Sequence, residues 1–235
     1  MSKVDVDFDH RTDAGGGDPD ATSPTLKKHH QVLWAKPLPS GQRLTLDQER
    51  GAYLVHRSTL GNFFLSSDTI SNSFARRRSM QSFIEHIPRG AIEEFRSHNA
   101  KVSATTLFPG RKEGGLTINQ ARGFSRRVSD RMDLTLECIR RHYLRQPNPL
   151  ASTLDRYASF FSLFRDFEGY VDYFLLEDLV DKGKVKFYLP FDDYSGSAVP
   201  TSVDEYRRYM GNTIEFLVAR KARIRNWAEK HLTNL

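Results

Sequence analysis

The sequence predicts an α+β fold, a mostly antiparallel sheet of short strands packed with about five to seven helices. Three observations carry that expectation. Short segments suited to strands recur in the first half of the chain, at Gln42–Leu46, Ala52–His56, Asn62–Ser66, Val102–Phe108 and Leu116–Ile118. Apolar stripes of helical period dominate the second half. The order, strands interleaved with and then followed by helices, contains no internal repeat, linker or low-complexity tract. It predicts a single α+β domain over residues 23–235, preceded by an arm.

That arm, residues 1–22, holds Gly15-Gly16-Gly17, Pro19 and scattered aspartates, and is expected to be an extended or mobile acidic segment. Asp5, Asp7 and Asp9 match the opening of a calcium loop, but His10 stands where such a loop needs Gly, and no Glu closes it. Alternation of Val4, Val6 and Phe8 with the aspartates fits a strand better. Ser23-Pro24, a cap followed by a first-position proline, opens a helix reaching about Trp34. Ala52–His56 and Asn62–Ser66 flank Arg57–Gly61 as a hairpin. Asp68, or Ser67, is placed to cap a helix from Thr69 to Ile87, which Pro88 breaks before a short helix over Ala91–His98. The strand Val102–Phe108 turns at Pro109–Gly115 into Leu116–Ile118, then a polar turn, Asn119–Gly123, then a helix from Ser125 to Leu144.

Asn148-Pro149 opens a helix carrying Leu154, Tyr157, Phe161, Phe164 and Phe167, with Gly169 as its C-terminal cap. Tyr170–Val180 reads as a further helix, Val185–Leu189 as a strand and Pro190–Pro200 as a loop. Ser202-Val203-Asp204-Glu205 is a capping box for a last helix running to about Leu232. Its acids come first and its bases last, as the helix dipole favours.

Composition narrows the function classes. Of 235 residues 38% are hydrophobic, among them 16 Phe and 9 Tyr, so the core is expected to be aromatic. Charged residues make up 27% and mean hydropathy is −0.56, values of a soluble globular chain. No apolar run approaches the ~20 residues of a membrane span, and the first ten residues lack the pattern of a secretory signal. The cytoplasm is the simplest compartment. Cys138 is the only cysteine, which excludes internal disulfides and multi-cysteine zinc sites; mid-helix, it reads as a packing residue. His29 and His30 are adjacent and point apart on a helix, and no H-E-x-x-H spacing occurs, so no metal site is expected. The phosphate-loop, dinucleotide and G-x-S-x-G patterns are also missing, and no cofactor follows from the sequence.

Net charge is +6 and the pI about 9.4. The first thirty residues carry six Asp against four Lys and Arg, so the rest carries +8. That field favours polyanions, weakly indicating a phosphate-bearing small molecule or nucleic acid as partner.

The stretch Thr117–Leu144 concentrates the candidate chemistry. Along the expected helix, Val128, Met132, Thr135, Leu136, Ile139 and Tyr143 share one side; Arg126, Asp130, Asp133, Glu137 and Arg141 share the other. One reading of the charged side is a solvated face held by spaced ion pairs, Arg126 with Asp130 and Glu137 with Arg141. The other is a site. In it Asn119, Arg122, Gly123, Arg126, Arg127 and Arg141 hold an anion at a helix start, and Asp130, Asp133 and Glu137 act on it. A rival from another class is a non-catalytic interaction module that docks through the basic C-terminal helix. Trp227 and Ile224 would be its anchors and Arg220, Lys221, Arg223 and Arg225 its rim.

The same stretch carries a resemblance. Leu107-Phe108-Pro109-Gly110, then Thr117–Phe124 (TINQARGF) and Asp130–Tyr143 (DRMDLTLECIRRHY), resemble a bacterial family known only as a domain of unknown function. Asp18-Pro19-Asp20, Lys36–Pro39, Phe64–Asp68 and Leu189–Asp193 fit it too, so the resemblance spans nearly the whole chain. Met132 stands where relatives mostly have Phe, and Gln120 where many have Gly. The resemblance implies one domain and no particular activity.

Overall fold

The computed structural model describes residues 4–48, 53–75, 77–111 and 114–232. Helices α1 (Pro19–Thr22) and α2 (Pro24–Leu33) precede strands β1 (Asp47–Gln48), β2 (Leu54–Ser58) and β3 (Gly61–Thr69). Helices α3 (Gln81–Ile84) and α4 (Arg89–Asn99) lead to β4 (Thr105–Pro109). Then come α5 (Ile118–Phe124), α6 (Met132–Tyr143), α7 (Ala151–Arg156), α8 (Ala158–Ser162) and α9 (Phe167–Tyr173). The small ladder β5 (Val180–Asp181) and β6 (Lys184–Val185) precedes the long α10 (Val203–Leu232). The fold is α+β, as expected: β1 to β4 form one antiparallel sheet in sequence order. β3 is its spine, with Leu65 opposite Leu54 on one side and Ser67 opposite Leu107 on the other.

Several elements differ from expectation, each for a local reason. No helix spans Thr69–Ile87, because the Asp20 carboxylate accepts hydrogen bonds from the Thr69 backbone N–H at 2.7 Å and its hydroxyl at 3.1 Å. That holds the chain extended to the end of β3. Leu116 and Thr117 belong to no strand. Thr117 caps α5: its hydroxyl accepts from the Gln120 N–H, and its own N–H donates to the Gln120 side chain, both at 3.2 Å. The expected helix 125–144 begins only at Met132, because Ser129 and Asp130 adopt left-handed φ values of 50° and 59°.

Gly169 lies inside α9, not at a helix end; Asp166 caps that helix by accepting from the Gly169 N–H at 2.8 Å. Helix Tyr170–Val180 stops at Tyr173, and strand 185–189 shrinks to a two-residue ladder. The turn of that ladder, Lys182-Gly183, has φ values of 47° and 73°, as a type I′ hairpin requires. At α10, Ser202 caps Glu205 as expected, but the Glu205 carboxylate reaches Thr201, one residue further back. Residues 4–22, expected as an extended or mobile arm, lie against the body: Val4 and Val6 are buried, and the His10 N–H donates to the Ala100 carbonyl at 3.0 Å. Asp9 bridges to Lys101 there.

The core is aromatic. Phe160, Phe161, Phe164, Tyr170, Tyr173 and Phe174 pack ring against ring, with centroids 4.9–5.8 Å apart, and Trp34 joins them against Phe174 at 5.4 Å. Lys36 sits beside this cluster with its ammonium 5.0–5.5 Å from the rings of Trp34, Tyr173 and Trp227; burial lowers its pKa to about 8.

α10 is riveted through Arg220, which is fully buried. Its Nε donates to the Leu175 carbonyl at 3.1 Å and Nη2 to that of Phe174 at 2.9 Å. Nη1 donates to the carbonyls of Ser103 at 2.6 Å and Thr105 at 2.9 Å. The rim expected for a docking surface on this helix, and its anchor Ile224, are therefore largely spent within the fold. Ile224 is buried, Arg223 pairs with Glu177 and Asp178, and Lys221 and Arg225 both pair with Asp7. Arg220→Leu strands four buried carbonyls and is expected to cost at least about 3 kcal/mol in urea unfolding. Truncation after Ala219 is expected to give an unfolded chain by far-UV circular dichroism. A stable truncated protein would contradict this role.

Candidate functional site

The capping box at Thr117 starts α5 so that Asn119 and Arg122 lie on its inner side, toward the end of β3. The left-handed turn at Ser129 and Asp130 then folds the chain back onto α5. The Asp130 N–H donates to the Arg122 carbonyl at 3.2 Å, and Arg122 Nη2 donates to the Asp130 carbonyl at 3.1 Å. Gly123 allows this approach, since a Cβ there would stand 3.3 Å from Asp130 Oδ1. Asn72, in the extended segment after β3, donates from Nδ2 to Asp130 Oδ2 at 3.2 Å.

These elements enclose a cleft of about 840 Å³. Asp18, Asp20, Asp68 and Asp130 line it together with Asn72 and Asn119, and Arg77 and Arg96 also border it. Arg77 lies over the Phe74 ring at 5.5 Å, and Arg96 pairs with Glu93 at 3.0 Å. Among the described residues no group of three or more His, Cys, Asp or Glu has the arrangement of a metal site.

Asp68 is the most perturbed group of the cleft. Its carboxylate is held by Arg122 Nη1, while Arg122 Nε donates to Thr135 Oγ1 at 2.9 Å. Burial raises the Asp68 pKa from 3.8 to about 7; Arg122 opposes the shift, and the nearby Asp20 and Asp130 carboxylates add to it. The neighbouring Ser67 is not a nucleophile. Trp34 Nε1, which can only donate, bonds His30 Nδ1 at 2.8 Å, so the neutral ring carries its proton on Nε2 and offers it to Ser67 Oγ at 2.9 Å. Burial lowers the His30 pKa to about 3, which keeps the ring neutral.

A comparison with protein families matches residues 4–224 to a family of unknown function (DUF6994). The chain belongs to that family. The matched span contains every cleft residue named above and Arg220. Neither the curated proteins nor the solved structures give a match.

Of the site residues expected from the sequence, the structure brings Asn119, Arg122, Gly123 and Asp130 together at this cleft. It takes the others elsewhere. Asp133 is fully buried, paired with Arg131 and accepting the Tyr188 N–H at 2.9 Å. Glu137 is buried between Arg140, at 2.7 Å, and Arg141, at 2.8 Å; Arg141 also pairs with Asp193 and so anchors the loop after residue 190. Arg126 and Arg127 are exposed on the turn between α5 and α6. The polar turn Asn119–Gly123 is itself helix, so the anion cradle expected at a helix start there does not form.

The charged stripe is thus neither a solvated face nor a site throughout. Its middle is internal, because the arginines supply partners that let Asp133 and Glu137 leave water. Cys138 packs as expected: its thiol touches Tyr194 Oη at 3.2 Å, and burial pushes it up to about 12. Asp18, Asp20 and Asn72 were missed, and Asp68 was read as a helix cap. The one sequence signal for Asp18, Asp20 and Asp68 is that they fall in segments carrying the family resemblance.

The raised pKa of Asp68 has a defined sign in stability. Below about pH 4 folded and unfolded chains both hold its proton. Between about 4 and 7 only the folded chain keeps it, so this group's contribution falls as pH rises, and it levels off above 7. Asp68→Asn has no such proton. Its stability relative to the parent is expected to rise by up to about 4 kcal/mol from pH 4 to pH 7 in urea titrations. A gap that stays flat over that window would remove the assignment.

Proposed function

We propose that the cleft binds a small hydroxyl-rich molecule and that Asp68 exchanges a proton with it, assisted by Asp130. One observation carries this reading: the carboxyl of Asp68 lines a polar cleft and has a pKa of about 7. A group with that pKa gives or takes a proton at neutral pH at little cost, which general acid–base work requires. The rest of the lining suits the same ligand. Carboxylates accept hydrogen bonds from hydroxyls, and the amides of Asn72 and Asn119 offer both donors and acceptors.

The phosphate-bearing ligand, nucleotide or nucleic acid, expected at residues 119–127 fits less well. Arg122 is committed to Asp68, and Arg126 and Arg127 do not line the cleft. Four carboxylates oppose an anion in its interior. A phosphate is accommodated only at the part bordered by Arg77 and Arg96, and these two residues support a phosphorylated form of the same hydroxyl-rich ligand as the second reading.

A thermal-shift panel of sugars, polyols and nucleosides, each with and without a phosphate, separates the two readings. Stabilisation by an unphosphorylated member, lost at least tenfold in affinity in Asn119→Ala and Asp130→Asn, is the expected result. Stabilisation only by phosphates, lost in Arg77→Ala, favours the second reading. Stabilisation by any polyanion, abolished by salt, overturns both.

A further inference from the structure

A second cavity lies at the C-terminal end of α6, between its last turn, α7 and α8. It has a volume of about 660 Å³ and is lined in part by the rings of Tyr143 and Phe161. His142 stands in its wall, its ring centroid 5.3 Å from that of Phe161. Its Nδ1 is 3.1 Å from Asp155 Oδ1, on α7.

A carboxylate only accepts, so that contact favours the tautomer with its proton on Nδ1, which leaves a lone pair on Nε2. Among the described residues Asp155 is the one polar partner of the His142 ring, which leaves Nε2 open.

The opposite requirement comes from Arg145. It borders the same cavity, makes no ion pair among the described residues, and offers only donors. It holds a left-handed φ of 55° at the end of α6, where its N–H donates to the His142 carbonyl at 3.0 Å and the Gln146 N–H closes onto the Arg141 carbonyl at 2.8 Å. Glycine is the favoured residue in that conformation; here a guanidinium occupies it. The remaining charged residue at the cavity, Arg165, is already paired with Asp166 at 2.7 Å.

An open acceptor nitrogen beside an unpaired guanidinium describes the recognition of an acid. We propose that this cavity is a second binding site, taking a small organic acid with an aromatic or apolar body. The body lies against Phe161 and Tyr143, and the acid head lies between His142 and Arg145. On binding, His142 Nε2 takes up one proton from solvent. The imidazolium then donates from Nδ1 to Asp155 and from Nε2 to the acid anion, whose remaining charge meets Arg145. No bond to carbon or phosphorus is made or broken.

Benzoate and phenyl phosphate, titrated calorimetrically into the full chain in buffers of different ionisation enthalpy, test this. Saturable binding of at least one probe is expected, with net uptake approaching one proton, and with affinity at least tenfold higher at pH 6 than at pH 8. His142→Gln is expected to abolish the uptake, and Asp155→Asn to diminish it. Arg145→Ala alters an exposed side chain and so tests the site without relying on a core residue; it is expected to weaken binding about tenfold while leaving the melting temperature unchanged. Ring proton resonances of His142 should move on titration. Absence of binding by both probes, or binding indifferent to pH and to Arg145→Ala, overturns the proposal. The readout is local to His142, so its failure leaves the Asp68 cleft untouched.

Discussion

The pairing of Arg122 with Asp68 is the interaction on which the region around the cleft depends. Both side chains are buried, and together they join the end of β3 to α5. The remaining donors of Arg122 tie in Thr135 on α6 and the Asp130 carbonyl at the turn. One guanidinium thus sets the mutual position of a strand end, two helices and the reversal between them. A buried ion pair of this kind contributes little net stability over an apolar substitute, but losing one partner is expensive. What the arrangement secures is placement: Asp68 faces the cleft because Arg122 holds it from behind.

Arg220 plays the corresponding part nearby, at the start of β4, with a different chemistry. Among the described residues it makes no ion pair and is solvated by backbone carbonyls; burial lowers its pKa to about 10, which leaves it charged at neutral pH. Much of the excess positive charge in the sequence is employed this way. Arg122, Arg131 and Arg220 are buried, and Arg140, Arg141 and Arg223 serve as ion-pair partners within the fold. A basic isoelectric point here reflects arginines used as internal connectors, and it loses weight as an argument for a nucleic-acid partner.

The fold class and the long elements were legible because they rest on periodicity: α2, α4, α10 and the β2–β3 hairpin fall where their patterns place them. What misled were positions where a distant partner overrides a local signal. Asp20 keeps Thr69 in a strand across a gap of 49 residues, and no window centred on Thr69 contains that information. The capping box Thr117-x-x-Gln120 was present in the letters, but the β-branched Thr117 and Ile118 suggested a strand instead. Half of the candidate site was visible for a similar reason. Asn119, Gly123 and Asp130 belong to one short stretch, whereas Asp18, Asp20, Asp68 and Asn72 reach the cleft only through tertiary folding. Asp133 and Glu137 looked solvent-facing on a helical wheel, which cannot register that arginines from their own neighbourhood accompany them inward.

The contact of Asp7 with Lys221 at 2.8 Å and Arg225 at 3.0 Å makes one aspartate a clasp between the opening segment and the last helix. Together with the Asp9–Lys101 bridge, it turns the covalent thread into a nearly closed ring. Because these ion pairs are exposed, the attachment of the opening segment to the last helix should loosen as salt screens them.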